Sequence, residues 1–117
     1  MRRFFNEEKR LRISCFYKAY GGPAHPAQIF LFDKNHKTYI SIKFGTSKGR
    51  HMTKIHPIQR GYEISYVRNR PFEGTKEDYD DEELIGFKVD PRDAELIETI
   101  KARTPDRSRK ARKRYKK

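Results

Sequence analysis

Gln28-Ile29-Phe30-Leu31-Phe32-Asp33-Lys34-Asn35-His36-Lys37-Thr38-Tyr39-Ile40-Ser41-Ile42-Lys43-Phe44 places the two clearest strand signals of the chain back to back. Residues 28–33 are an almost unbroken apolar run, which reads as a strand covered on both faces. Residues 38–44 alternate with period two. Ile40, Ile42 and Phe44 point one way, and Tyr39, Ser41 and Lys43 the other. The polar connection Lys34-Asn35-His36-Lys37 has hairpin length. An antiparallel hairpin is therefore predicted here.

Upstream, Gly21-Gly22-Pro23-Ala24-His25-Pro26 is a loop by composition, and Arg12-Ile13-Ser14-Cys15-Phe16-Tyr17 reads as a first strand. Residues 1–10 read as a frayed basic start. Downstream, Gly45-Thr46-Ser47-Lys48-Gly49-Arg50 is a flexible loop. Residues 51–56 form a short strand that stops at Pro57, and residues 62–68 alternate again, with Tyr62, Ile64 and Tyr66 on one side. The stretch from Asn69 to Gly74 is expected to leave the sheet, with Pro71 as the breaker. Residues 73–83 hold seven acids and one base, Lys76. They read as a solvated loop, or as a segment folding back on basic residues. Ile85, Phe87 and Val89 read as a last strand. A helix is predicted over 91–103: Asp90 caps it, Pro91 suits its first position and Leu96, Ile97 and Ile100 form its buried stripe.

The length of 117 residues fits one domain. The predicted class is α+β and β-rich: a small antiparallel barrel of five or six strands with a C-terminal helix, spanning residues 1–103. Residues 104–117 read as a basic flexible tail. Cys15 is the single cysteine, so an internal disulfide is excluded, and its apolar setting marks it as a small buried hydrophobe.

Charge points to the partner class. The chain carries 28 Lys and Arg against 16 Asp and Glu, a net +12, and the segment 106–117 alone holds +7 of it. Such a surplus favours polyanions. No run is apolar enough to span a bilayer, and the N-terminal stretch lacks the apolar core of a secretion signal. A cytoplasmic protein is expected. A polybasic membrane patch has no anchor to support it, so a membrane is not an expected partner.

The candidate nucleic-acid contacts fall in two groups. Arg107, Arg109, Lys110, Arg112, Lys113 and Arg114 of the tail would displace counterions from phosphates. Lys43, Lys48, Lys54, Arg68 and Arg70 add charge around the middle of the chain. The loop Gly45–Arg50 can turn backbone amides toward a phosphate, with hydroxyls from Thr46 and Ser47 and charge from Arg50. It lacks Walker A spacing, so a nucleotide triphosphate site is not expected. His25, His36, His51 and His56 have no ligand spacing for zinc, and neither a metal nor a cofactor is expected. A histidine beside Arg and Lys can move a proton in RNA cleavage, where a 2′-hydroxyl attacks the adjacent phosphate.

The order of these pieces resembles the MazF/PemK-like toxins. The matching stretches are Pro26-Ala27-Gln28-Ile29-Phe30-Leu31, Thr38–Phe44, Gly45-Thr46-Ser47-Lys48 and His51-Met52-Thr53-Lys54-Ile55. Ser65-Tyr66-Val67-Arg68 and Leu84–Asp93 complete the set, over roughly residues 12–103. The resemblance implies an SH3-like barrel that cuts single-stranded RNA without a metal, as one half of a toxin–antitoxin pair. The family's reacting pair is an Arg before the leading Pro and a loop hydroxyl. Here that Arg position is His25, and Thr46 or Ser47 matches the hydroxyl. His25, Thr46, Ser47, Arg50 and His51 are thus the candidate catalytic residues. The expected partners are RNA or another nucleic acid, an acidic antitoxin-like protein and a second copy of the chain. Two alternatives stand beside this reading: a non-enzymatic RNA- or DNA-binding accessory protein, and a protein-interaction domain with an acidic partner.

Overall fold

The computed structural model describes residues 14–18, 24–58, 64, 66–80 and 82–116. The basic start at 1–10 and Tyr62 lie outside them. The described chain is α+β and strand-rich, with seven strands and two short helices. Strands β1 (Ser14–Tyr17), β2 (His25–Asp33) and β3 (Thr38–Gly45) form an antiparallel meander. The far edge of β3 is shared. Its end, Phe44–Gly45, pairs with β5 (Tyr66–Arg68), and its start, Thr38–Ser41, pairs with β6 (Phe72–Thr75). β4 (Met52–Lys54) lines the outer side of β5. No helix among the described residues is long and apolar enough to cross a membrane.

β3 is central because both of its faces are buried. Ile42 and Phe44 join Ile55, Ile58, Ile64 and Val67 beneath helix α1 (Ala94–Lys101), which contributes Ile97 and Ile100. Tyr39, on the other face, packs with Cys15, Tyr17, Ala27, Ile29, Phe72 and Tyr79. The period-two pattern thus feeds two cores rather than one. Cys15 is fully buried in the second. The Tyr79 hydroxyl bonds Ser41 at 2.9 Å inside that core, and burial pushes its pKa up.

Several sequence expectations hold. The hairpin pairs Ala27 with Lys43 through Asp33 with Thr38, around a polar turn in which Lys37 has φ 56°. Asp90 accepts the Arg92 amide, and a 3-10 turn at Pro91–Asp93 leads into α1. Asp93 takes a further role: its carboxylate binds the His56 backbone amide at 2.9 Å and the His56 ring at 3.0 Å, tying the helix start to the exit of β4.

Other expectations are corrected. β2 begins at His25, so His25 and Pro26, which composition assigns to a loop, belong to the strand. Pro26 is tolerated because its β3 edge is not yet paired; that ladder starts at Ala27. β2 is not covered on both faces, since a bulge between Ile29 and Leu31 turns Leu31 outward, 49% exposed. Residues 72–75 do not leave the sheet. They form β6, buried along its whole length, because β3 on one side and β7 (Asp106–Arg107) on the other satisfy its backbone. Residues 85–89 are not a strand. Ile85 and Gly86 turn (Gly86 φ 84°), Ile85 is 55% exposed, and Phe87 and Val89 pack on the first core without a ladder.

The C-terminal segment is not a flexible tail. Asp106–Arg107 adds β7 in parallel to β6, and Ser108 caps α2 (Arg109–Tyr115) by accepting the Ala111 amide at 3.0 Å. It is held by the acidic segment folding back on it. Glu73, 1% exposed, accepts hydrogen bonds from Thr38 Oγ1, from Arg107 Nε at 3.1 Å and from the Tyr115 hydroxyl at 2.6 Å. Asp78 accepts from Ser108 Oγ at 2.6 Å. Tyr115 lies between His36 at 3.7 Å and the Arg107 guanidinium at 3.6 Å. Glu73 and Asp78 are therefore interior anchors rather than solvated loop charges.

The strands form an open path, β1-β2-β3-β5-β4, with β6 and β7 branching from β3. Asp78, Tyr79 and Leu84 lie along the outer edge of β1: Lys18 donates to Asp78 O, Tyr17 bridges Tyr79, and Leu84 donates to Ser14 O.

Candidate functional site

A cleft of about 380 Å³ opens where β2 starts, β3 ends and β5 passes. Its wall includes His25, Lys43, Thr46, Ser47, Arg50 and Arg68. Each arrives by a separate local cause. His25 is the first residue of β2 and lies opposite Tyr17 of β1. Lys43 carries the last side chain beyond Cα on the Tyr39 face of β3, since Gly45 follows it there. Thr46 to Arg50 is the loop that leaves β3, and all of its residues are exposed. Arg68 ends β5, two strands across. Gly45 fits under Met52, where a Cβ would approach Met52 Cε at 3.1 Å, so the loop departs close against β4.

The electrostatics follow from crowding of like charge in a partly dry place. Among the described residues no Asp or Glu lines this cleft. Burial, then the Arg68 charge, pull Lys43 down to about 8, against a small opposing pull from Asp106. Its ammonium sits over the Tyr17 ring at 4.2 Å and the Phe72 ring at 4.5 Å, which offsets part of the desolvation. His25 is pushed below its ordinary value by burial and then by Lys43 and Arg68. It is therefore neutral at pH 7 and can accept a proton. Arg68 is held by Asp106 of β7 at 2.9 Å.

The remaining sequence candidates are distributed around this cleft. His51, with φ 61°, lines an adjacent depression with Asn69, Arg70 and Asp106, and this shares Arg68 with the cleft. Lys48 and Lys54 are exposed and do not line it. Arg107, Arg109, Lys110 and Arg112 line a second cavity. Lys113 and Arg114 project from α2 near the hairpin turn, where Arg114 donates to His36 O at 3.3 Å. Sequence reasoning missed Tyr17 and Phe72 as parts of the site. The available signal was Lys43 itself, a cation in the middle of an inward-facing aromatic pattern.

Among the described residues no group of three or more His, Cys, Asp or Glu side chains is placed to hold a metal ion. The cleft's own chemistry is a neutral imidazole, a lysine near neutrality, two hydroxyls and two guanidiniums. Compared with known proteins, the chain matches no family model, no curated protein and no solved structure.

Proposed function

We propose that the chain binds single-stranded RNA at this cleft and cleaves it without a metal, in the manner of the MazF/PemK-like toxins it resembles. The observation that carries this reading is the convergence of His25, Lys43, Thr46, Ser47, Arg50 and Arg68 on one cleft, with no carboxylate in its wall among the described residues. A surplus of cations, of which Arg68 alone has an ion pair among the described residues, suits a phosphodiester, and guanidiniums suit the charge that grows on its oxygens during attack. The same reading takes the sheet as an SH3-like barrel, with Asp78, Tyr79 and Leu84 covering the β1 edge.

The chemistry balances with the chain's own groups. Neutral His25 accepts the proton of the 2′-hydroxyl. The freed oxygen forms a bond to the adjacent phosphorus, and the bond from phosphorus to the 5′-oxygen breaks. Lys43, still protonated below about 8, gives its proton to that leaving oxygen. The products are a 2′,3′-cyclic phosphate and a 5′-hydroxyl. Arg50 and Arg68 stabilise the phosphorane, and Thr46 and Ser47 hydrogen-bond its oxygens. His25 takes the place that the family gives to an arginine, so proton transfer and charge stabilisation fall to different side chains.

The test is incubation of the protein, with EDTA, on a mixed single-stranded RNA, beside His25→Ala and Arg50→Ala. Cleavage with cyclic phosphate ends, lost by about 100-fold or more in each variant, is expected. The rate should rise as His25 loses its proton on the acid side of 6.5, and fall above about 8 as Lys43 loses its own. Binding without cleavage would leave a non-enzymatic RNA-binding domain. No binding at all would end the reading.

A further inference from the structure

Resting on the RNA-binding reading, we propose that the folded C-terminal segment supplies a second subsite, which holds a flanking stretch of the same RNA strand beside the cleft. A cavity of about 500 Å³ lies between β1, β6 and the start of α2. Tyr17, Lys18, Phe72, Arg107, Lys110 and Arg112 are in its wall. The two cavities adjoin through one cluster: Lys43 lines the cleft, and its ammonium rests on the Tyr17 and Phe72 rings that line the second cavity. A backbone link runs in parallel. Arg68 of the cleft pairs with Asp106, and the next residue, Arg107, lines the second cavity.

The charge balance of this second cavity favours a phosphate chain. It does contain two carboxylates, Glu77 and Asp78. Both are engaged locally. Asp78 Oδ2 accepts from the Thr75 amide at 2.8 Å and from Ser108 Oγ at 2.6 Å. The Glu77 carboxyl is held below its usual range chiefly by its own backbone amide and the Thr75 hydroxyl, with smaller pulls from Arg114 and Lys110, so it offsets part of the Lys110 charge and leaves Lys18 and Arg112 in surplus. Lys18, Lys110 and Arg112 are exposed at the rim. Cations beside the rings of Tyr17 and Phe72 match a single strand, whose phosphates and bases alternate. Because α2 is anchored through Glu73 and Asp78, these cations are presented at fixed positions rather than on a loose chain.

The experiment measures affinity by fluorescence anisotropy for single-stranded RNA oligonucleotides of about 3 to about 12 nucleotides, in EDTA and over a salt series. Arg50→Ala and a Lys110→Ala/Arg112→Ala double variant are compared with the full wild-type chain. Lys110 and Arg112 are exposed, so circular dichroism should show the double variant folded. Arg50→Ala is expected to weaken every length. The double variant should leave the shortest oligonucleotides unchanged and weaken the longest by about tenfold. On those it should reduce the slope of log affinity against log salt by about 1.4, the share of two phosphates. An equal loss at every length, or no loss at any, overturns the second subsite. If Arg50→Ala still weakens binding in that case, the cleft reading stands alone. Wild-type protein that binds no RNA overturns both. An oligoglutamate peptide is the competing probe: if it is bound by wild type and lost in the double variant while RNA binding is kept, the cavity belongs to an acidic protein segment.

Discussion

Lys43 and Glu73 enter the interior from neighbouring strands of one sheet, and the fold treats them in opposite ways. Glu73 is enclosed by Thr38, Arg107 and Tyr115, so that donors from three separate parts of the chain converge on one carboxylate. Lys43 has no salt bridge among the described residues, lies beside Arg68 and rests against the faces of Tyr17 and Phe72, with Asp106 giving an opposing pull. A buried charge with a full set of partners secures architecture. A part-buried cation crowded by another cation works against folding, and under the proposed function a phosphate offsets that cost. The contrast separates the anchoring end of the sheet from the end that borders the cleft.

The largest effect expected from breaking this contrast is at Glu73. Glu73→Ala removes the acceptor for Thr38, Arg107 and Tyr115 together and leaves a void under β7 and α2. A loss of about 3 kcal/mol is expected, at the lower end for a buried pair because Arg107 is partly exposed. Urea unfolding measures it. A loss below about 1 kcal/mol would show that the C-terminal segment is held by its backbone pairing with β6 instead. Gly74→Ala should follow closely, by about 2 kcal/mol, since an added Cβ would meet Asp78 Oδ2 at 2.9 Å and Tyr79 at 3.1 Å. It would wedge apart the acidic turn that grips Ser108.

This anchoring end was the less legible in sequence. β3 could be read directly, because β-branched and aromatic residues at period two have no competing interpretation. β6 could not. Phe72-Glu73-Gly74-Thr75 is short, follows a proline and contains two residues that strands disfavour. It becomes a strand because β3 and β7 supply its hydrogen bonds, and its carboxylate is satisfied from 34 and 42 positions away. Ile85, Phe87 and Val89 fail in the reverse direction: the pattern is present, but Phe87 and Val89 are used to cover the first core and pair with no strand among the described residues. Residues 106–115 looked like a solvated polycation because their anchors, Asp106, Ser108, Ala111 and Tyr115, are few among many bases. The cleft was more legible, since His25 and the loop at 45–50 flank the clearest hairpin of the chain. Its aromatic wall was not, because Tyr17 and Phe72 look like ordinary core residues until Lys43 is found against them.

Lys43→Met sharpens the other half of the contrast. Methionine keeps the contact with both rings and removes the desolvated charge. At neutral pH the variant should be more stable than wild type by on the order of 1 kcal/mol, after the lost cation–π contacts are offset, while RNA cleavage is abolished. The sign can be checked against pH. Between about 8 and 10.5 the unfolded chain keeps a proton on Lys43 that the folded chain has released. Wild-type stability therefore gains a rising contribution through that window, and the Met variant lacks it. A Met variant less stable than wild type at pH 7 would mean that the rings bind the ammonium more strongly than water does.

The smallest effect is at the last anchoring residue. Tyr115→Phe deletes one hydroxyl, the donor to Glu73 at 2.6 Å, and keeps the stack on His36 and the Arg107 guanidinium. Glu73 retains Thr38 and Arg107, so its charge is not stranded. A loss of about 1 kcal/mol is expected, well under that of Glu73→Ala. The wild-type hydroxyl titrates only near 12, so this difference should be constant through the neutral range. Combining Tyr115→Phe with Arg107→Gln in a double-mutant cycle shows whether the donors act singly. Additive losses mean that Glu73 is over-provided with partners and that α2 can tolerate change at any one of them. A coupling above about 1 kcal/mol means that the three donors work as one clasp, and that the segment carrying Lys110 and Arg112 is released all at once when any of them is lost.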